Sequence, residues 1–174
     1  MKIGLISDSH GAADRLQTAV VELTRRGADR IVHCGDVTTP ECIEVLAAAP
    51  VGVHISAGNM DASNLAEMRD LSEQHSYLTI SDDMVFVRLG DGRKPLAATH
   101  GHNERLLDDL IRGEQFAYVC HGHTHRQRDQ RIGPTRVINP GALWHPREPR
   151  WPSFALLDVD ADALEFIALS EMPS

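Results

Sequence analysis

The chain contains five short clusters of aspartate, asparagine and histidine, and each cluster follows an apolar stretch of sequence. The clusters are Asp8-Ser9-His10, Gly35-Asp36, Gly58-Asn59-Met60-Asp61, Thr99-His100-Gly101-His102 and His121-Gly122-His123-Thr124-His125. Their side chains offer hard carboxylate and amide oxygens together with imidazole nitrogens, and none of the clusters contains cysteine. This mixture suits a pair of divalent transition ions better than a structural zinc ion. The residue types therefore indicate metal-assisted hydrolysis.

The histidine cluster at residues 121–125 is the strongest local pattern. Alternation along a strand places His123 and His125 on a shared side. The other clusters are weaker alone, since Asp8 and His10 also suit a strand-to-helix turn, and Asn59 is a common turn residue. Asp36 offers two carboxylate oxygens that can each bind a different ion, and it lies too far before the next predicted helix to be its N-cap.

Alternating strands and helices must position these clusters. Apolar patterns predict strands over 3–6, 30–34 and 51–56, with helices over 13–25, 40–48 and 62–69. Close-set strands follow over 77–80, 84–89 and 96–99 with a turn at Asp91-Gly92, then a helix over 104–112 and strands over 116–121, 127–132, 136–139, 154–159 and 164–169. The pattern predicts an α/β fold of two packed, mixed β-sheets flanked by α-helices.

Ligands of open α/β sheets bind beyond the carboxyl ends of the strands. Because each cluster follows a predicted strand, segments from residue 8 to residue 125 are expected to converge on one site. No linker or repeat divides the sequence, so we expect a single domain over residues 1–174.

Taken in order, the clusters resemble the calcineurin-like metallophosphoesterases, in particular the small bacterial and archaeal phosphodiesterase branch that includes the retromer subunit Vps29. The pattern D-x-H, G-D, G-N-x-D, H-G-H, G-H-T-H and N-P-G is present, the last motif being Asn139-Pro140-Gly141. The resemblance spans nearly the whole chain. It implies the four-layer metallophosphoesterase sandwich, with Asn139 in a turn that positions the site.

The resemblance also implies a dinuclear phosphodiesterase centre. One metal would be held by Asp8, His10, Asp36 and His125, and its neighbour by Asp36, Asn59, His100 and His123, with Asp36 bridging. Such ions lie roughly 3.5–4 Å apart and share a hydroxide that attacks phosphorus in line with the leaving group. Manganese is the first candidate because it suits mixed oxygen and nitrogen ligands, with Fe, Zn, Ni and Mg as alternatives.

Met60 marks a departure from the larger phosphatases of the superfamily, which have there the histidine that protonates the leaving oxygen. Methionine cannot donate a proton, and Asp61 is normally ionised. We therefore predict that His102 is the catalytic acid, with a metal-bound water as the alternative. His121 matches no ligand of the family and is assigned to packing or to support of the ligands.

A formal net charge of -8 argues against general nucleic-acid binding and against a nuclease of the Mre11 kind. A local basic stretch could still attract a substrate phosphate or be a solvated face; it contains Arg126, Arg128, Arg131, Arg136, Arg147 and Arg150. We expect a small phosphorylated substrate. Trp144 and Trp151 could form a substrate wall, a subunit contact or part of the core. The sequence therefore allows a homo-oligomer without requiring one.

Hydrophobic residues make up 42% of the chain and charged residues 24%, as in ordinary globular proteins. The three cysteines show no C-x-x-C spacing, so we expect the protein to reside in a reducing cytoplasm. No apolar run approaches the ~20 residues of a membrane span.

The alternative function is a non-catalytic, Vps29-like interaction scaffold. All seven candidate ligands are intact, and a scaffold would not need to keep them, which weakens that alternative.

Overall fold

A computed structural model describes residues 1–90 and 92–169 of the 174-residue chain. In chain order its elements are β1 (Lys2–Ile6), α1 (Ala13–Arg25), β2 (Arg30–His33), α2 (Pro40–Ala47), β3 (Gly52–Ser56), α3 (Leu65–Gln74), β4 (Leu78–Ser81), β5 (Met84–Val87), β6 (Leu96–Thr99), α4 (Glu104–Arg112), β7 (Tyr118–Cys120), β8 (Gln127–Ile132), β9 (Thr135–Pro140), β10 (Ser153–Asp158) and β11 (Ala163–Ala168). Every predicted strand and helix is present. Asp91, half of one predicted turn, lies outside the described residues.

The strands form two sheets. The first has the order β11-β10-β1-β2-β3-β4, with parallel pairing from β1 to β4 and antiparallel pairing at β10 and β11. The second has the order β5-β6-β7-β9-β8, with parallel pairs in the centre and an antiparallel strand at each edge. Both sheets are mixed, and the predicted fold class is confirmed.

Three apolar layers hold the sheets and helices together. Leu5 and Val32 from the first sheet and Leu96 from the second belong to the layer between the sheets. Helices α1, α2 and α3 cover the outer face of the first sheet, and α4 covers the outer face of the second. Because the central strands are apolar on both faces, they can be buried only between two such layers. No described helix has the length and apolar character needed to cross a bilayer.

Helix α3 differs from its prediction over 62–69, since it runs from Leu65 to Gln74. The residues before it form a turn in which the Asn64 N–H donates to the Asp61 carbonyl at 2.9 Å. The Asp61 carboxylate meanwhile accepts backbone N–H groups of its own loop and of the loop after β2. The helix begins only after this turn, at Leu65.

Candidate metal centre

The carboxyl ends of β1, β2 and β3 from the first sheet meet those of β6 and β7 from the second, and the predicted ligands lie in the loops that follow. Asp8, His10 and His125 form one group of facing atoms. His125 Nε2 lies 3.2 Å from Asp8 Oδ1, and His10 Nε2 lies 3.8 Å from the same oxygen. The two imidazoles face each other with 3.3 Å between their Nε2 atoms.

A second group surrounds His100. Its Nε2 lies 3.1 Å from Asn59 Oδ1 and 3.3 Å from Asp36 Oδ2. Asp8 is also close, because ligand atoms of Asp8, Asp36 and His100 lie within 4.8 Å of one another. The His123 ring lies alongside, with its centroid 5.1 Å from that of His100. All seven predicted ligands thus lie at one centre, and His123 lies at its edge.

Asp36 lies between the two groups. Its Oδ2 is 3.6 Å from His10 Nε2 and 3.3 Å from His100 Nε2, whereas its Oδ1 accepts the Met60 N–H at 2.9 Å. The expectation from sequence was that each oxygen would face a different ion. In the structure a single oxygen faces both groups, because the Met60 amide already binds the other.

The side chains fit divalent cations. Asp8 Oδ1 is buried and accepts no hydrogen bond within the described part of the chain. His100 Nδ1 lies 2.7 Å from the Cys34 carbonyl, and His125 Nδ1 lies 2.8 Å from the His145 carbonyl. A carbonyl only accepts, so each Nδ1 carries the proton and each Nε2 presents its lone pair to the centre. This is the tautomer that a metal-binding histidine needs.

Charge at the centre also favours a cation. The neighbouring Asp8 carboxylate raises the pKa of His125. Burial lowers the pKa of His100, but the Asp36 and Asp8 carboxylates outweigh burial and the pKa is raised overall. Burial lowers the pKa of His10, which keeps that imidazole neutral near pH 7 and able to bind a metal. The negative potential that stabilises an imidazolium also attracts a divalent ion.

The backbone is unusual at five of the seven predicted ligands. Their φ angles lie in the left-handed region, at 54° for Asp8, 43° for His10, 57° for Asp36, 64° for His123 and 57° for His125. Such conformations cost on the order of 1–3 kcal/mol each and persist only where surrounding contacts impose them. The loops of the centre are therefore held by the rest of the fold.

Asp61 supplies part of that constraint. Its buried carboxylate accepts the backbone N–H groups of Gly58 at 2.7 Å, Thr38 at 2.8 Å and Asp36 at 2.9 Å. It thereby joins the loop after β2 to the loop after β3. Burial raises the pKa of Asp61, and the N–H donors oppose that shift. Sequence reasoning missed this role, although the aspartate that ends G-N-x-D marks it.

His33 joins the loop after β1 to the loop after β2. Its Nδ1 accepts the Gly35 N–H at 3.2 Å, so its Nε2 carries the proton and donates to Ser9 Oγ at 3.1 Å. The loop containing Asp8 and His10 is thereby fastened to the loop containing Asp36. Sequence reasoning missed His33 as well, because it occupies an ordinary position at the end of a strand.

Burial lowers the pKa of His33 to about 4, well below the ~6.5 of an exposed histidine. The unfolded chain therefore binds a proton at this residue that the folded chain does not, so stability falls as the pH drops from about 6.5 towards 4. From pH 7.5 to 5 the loss due to His33 should be about 2 kcal/mol.

Urea unfolding of metal-stripped protein at these two pH values tests this, with His33→Gln as the comparison. The variant should lose about 2 kcal/mol less than the wild type between pH 7.5 and 5. Equal losses in both proteins would show that His33 is not the group responsible.

The Asn139 side chain holds the loop of residues 121–125 through hydrogen bonds. Its Nδ2 donates to the Gly122 carbonyl at 2.8 Å and lies 3.1 Å from Thr124 Oγ1. Asn139 lies in β9, in agreement with the predicted strand over 136–139, and its Oδ1 accepts the Gly141 N–H at 2.9 Å where the strand ends. His121 is buried next to it, and burial lowers the pKa of His121 to about 4. His121 belongs to neither group of facing atoms, in agreement with its assignment to packing.

His102, the predicted catalytic acid, lies on the open side of the centre. The side chain is exposed, and its ring centroid lies 5.5 Å from that of His100 and 6.3 Å from that of His123. Met60 is 56% exposed, and only its backbone amide contacts the centre. Of these two residues, only His102 can present a titratable group to a bound phosphate ester.

Two mixed sheets between helices, with carboxylates and imidazoles at their common edge, define a metal-dependent phosphoesterase architecture. The sequence profile of the calcineurin-like phosphoesterase superfamily domain matches residues 1–162, and the chain belongs to this family. The family is one of enzymes that use divalent ions, and the residues gathered here suit such ions. The chain is a hydrolase of phosphate esters.

Individual relatives agree with this assignment. The chain is 28% identical over 144 residues to a phosphodiesterase of Methanocaldococcus jannaschii, covering 81% of this chain and 83% of the relative. The solved structure of an archaeal phosphodiesterase superposes with a TM-score of 0.86 at 25% identity, covering 97% of this chain and all of that one. Vps29 of Entamoeba histolytica with bound Zn²⁺ gives a TM-score of 0.66 at 18% identity, covering 99% and 95%, a likeness of fold alone.

Proposed function

We propose that the chain is a dinuclear metal-dependent phosphodiesterase, formed by a single domain over residues 1–174. One observation carries the proposal: a single buried carboxylate oxygen, Asp36 Oδ2, lies between two groups of metal-binding side chains. The proposed ligands of one ion are Asp8, His10, Asp36 and His125, and those of the other are Asp36, Asn59, His100 and His123. Manganese is the first candidate for both.

The residues of the chain prepare the centre for this chemistry. When bound, two divalent ions supply a nucleophilic hydroxide and polarise the phosphoryl oxygens. The backbone carbonyls of Cys34 and His145 orient the imidazoles of His100 and His125. Asp61 and His33 hold the loops that bear the carboxylates at fixed separation. Little rearrangement is then needed when a phosphate ester binds.

A phosphodiester is the proposed substrate because the Methanocaldococcus jannaschii relative and the solved archaeal structure described above are each named as a phosphodiesterase. A small substrate fits better than a polymer, since the net charge of -8 opposes binding of long polyanions. A cytoplasmic location and assembly into a homo-oligomer stay predictions.

Hydrolysis of bis-p-nitrophenyl phosphate and of p-nitrophenyl phosphate tests the proposal. Protein stripped of metal should be inactive, and reloading with Mn²⁺ should restore cleavage of the diester in preference to the monoester. Fe²⁺, Zn²⁺, Ni²⁺ and Mg²⁺ are compared under the same conditions. Tight metal binding without cleavage of either compound would refute the proposal and support the scaffold function.

We propose His102 as the proton donor to the leaving oxygen, because it is the titratable side chain on the open side of the centre. Replacing His102 with alanine should lower kcat about 10²-fold for a diester with an alkoxide leaving group. The p-nitrophenolate group leaves without protonation, so its release should be almost unaffected. Both rates are measured with matched metal content. An equal effect on both leaving groups, or none on either, would exclude this role.

A further inference from the structure

A cleft of about 270 Å³ lies beside the candidate metal centre. It is lined by Arg15, Trp144, His145, Pro146, Arg150 and Pro152, and we call it the Trp144 cleft. Small-molecule sites usually measure roughly 300–1,000 Å³, so this cleft is slightly smaller than that range. It has room for a ring system with its substituents and not for a long chain.

Hydrogen bonds connect the wall of the cleft to the metal centre. The Trp144 N–H donates to the Asp8 carbonyl at 3.0 Å, and the His145 carbonyl accepts the proton of His125 Nδ1 at 2.8 Å. Arg15 reaches the cleft from the first turn of α1, which begins three residues after His10. The wall of the Trp144 cleft is therefore in direct contact with two proposed ligands of the metal centre, Asp8 and His125.

The cleft offers a flat aromatic surface and two cations. Trp144 is 38% exposed, and the Arg15 guanidinium carbon lies 4.9 Å from its ring centroid. Arg15 is fixed there because it donates to the Leu143 carbonyl at 2.8 Å. An indole with a guanidinium packed on it is a surface on which another planar ring stacks.

The charges of the cleft are available to a ligand. Neither Arg15 nor Arg150 forms an ion pair with any residue in the described part of the chain. Arg150 belongs to the predicted basic stretch, in which three other arginines are neutralised. Arg126 pairs with Glu148, Arg131 with Asp162 and Arg136 with Asp129. Positive charge not offset by acids is thus found at the cleft, where an anionic substrate would meet it.

We propose that the Trp144 cleft binds a planar aromatic ester group, so that the preferred substrate is a nucleoside phosphodiester and not an alkyl one. This inference rests on the phosphodiesterase function proposed above. Stacking of a base on an aromatic side chain should raise affinity by roughly fivefold to 10²-fold. An alkyl group gains neither the stacking nor the contact with the guanidinium.

Fluorescence tests binding without requiring turnover. The chain has two tryptophans, and Trp151 is not among the residues that line the cleft. In Trp151→Phe protein loaded with Mn²⁺, thymidine 5′-monophosphate should quench the remaining tryptophan saturably, at about tenfold lower concentration than methyl phosphate needs. Equal half-saturation for the two compounds, or no saturable quenching, would overturn the inference whether or not the protein is active.

Kinetics test the same inference with a constant leaving group. Thymidine 5′-(p-nitrophenyl phosphate) and methyl p-nitrophenyl phosphate release the same p-nitrophenolate and differ only in the ester group that remains. Trp144→Ala should lower kcat/KM about tenfold for the thymidine diester and less than twofold for the methyl diester, and Trp144→Phe should restore most of the loss. Equal losses on both diesters would overturn the inference. Absence of turnover with both diesters, combined with selective quenching, would refute the proposed function and support the cleft.

Discussion

Replacing Asp36 with asparagine should reduce kcat/KM for bis-p-nitrophenyl phosphate by at least ~10³-fold. The variant keeps the shape of the side chain but removes the negative charge that lies between the two groups of ligands. Bound metal ions contribute several kcal/mol to phosphoryl transfer, and each 1.36 kcal/mol corresponds to tenfold in rate. An amide oxygen in place of Oδ2 would bind both ions weakly, so metal content should fall as well.

Asp70→Asn is the matched control, because Asp70 is exposed on α3 and loses the same charge on substitution. Activity and bound Mn²⁺ are measured for both variants after stripping and reloading. The control should retain wild-type values. An Asp36→Asn protein with full activity would mean that Asp36 does not bridge ions, and the dinuclear proposal would fail.

Replacing Gly122 with alanine should lower activity about 10²-fold or more, although the new methyl group carries no charge. A Cβ at this position would overlap Ser7 Oγ and lie 2.6 Å from Asp8 Oδ2. Ser7 donates a hydrogen bond to that same oxygen at 2.5 Å, so the methyl group would displace both side chains. A shift of ~1 Å in a catalytic group can cost 10²-fold in rate, and overpacking costs roughly 1–3 kcal/mol of stability.

Gly58→Ala should behave in the same way, since its Cβ would overlap Asp36 Oδ1 and the Asp36 amide. Gly52→Ala is the control, because a Cβ there meets only the side chain of Arg30, with its nearest atom at 3.0 Å. Urea unfolding and kcat/KM are compared for the three variants. Wild-type activity in Gly122→Ala would mean that Asp8 has room to adjust and that the close packing has no functional role.

The sequence predicted the elements of this fold well because their apolar patterns are strong. Helix α1 has its buried residues Leu16, Ala19, Val20 and Leu23 on one face, and both of its predicted ends match the structure. Helix α3 has only Met68 buried, and its predicted bounds were wrong. Where burial is weak, the bounds of an element depend on contacts with other parts of the chain, and those contacts are not visible in local sequence.

The residues of the candidate site could be named from sequence, but their arrangement could not. Asp8, Asp36 and Asn59 come from loops of one sheet and His100 from a loop of the other, and no local pattern reveals which sheet each strand joins. The supporting role of His33 was equally hidden, because its partners are a serine hydroxyl and a backbone amide on separate loops. Such contacts depend on how the chain packs.

The left-handed conformation of five proposed ligands bears on how relatives without activity should be interpreted. Among residues other than glycine, aspartate, asparagine and histidine are those that most readily adopt positive φ. A copy of this fold that had lost hydrolysis would still favour these residue types at positions 8, 10, 36, 123 and 125 for the sake of its backbone. Asn59 and His100 have no such backbone requirement. Their presence therefore distinguishes an enzyme from a scaffold better than the other five ligands do.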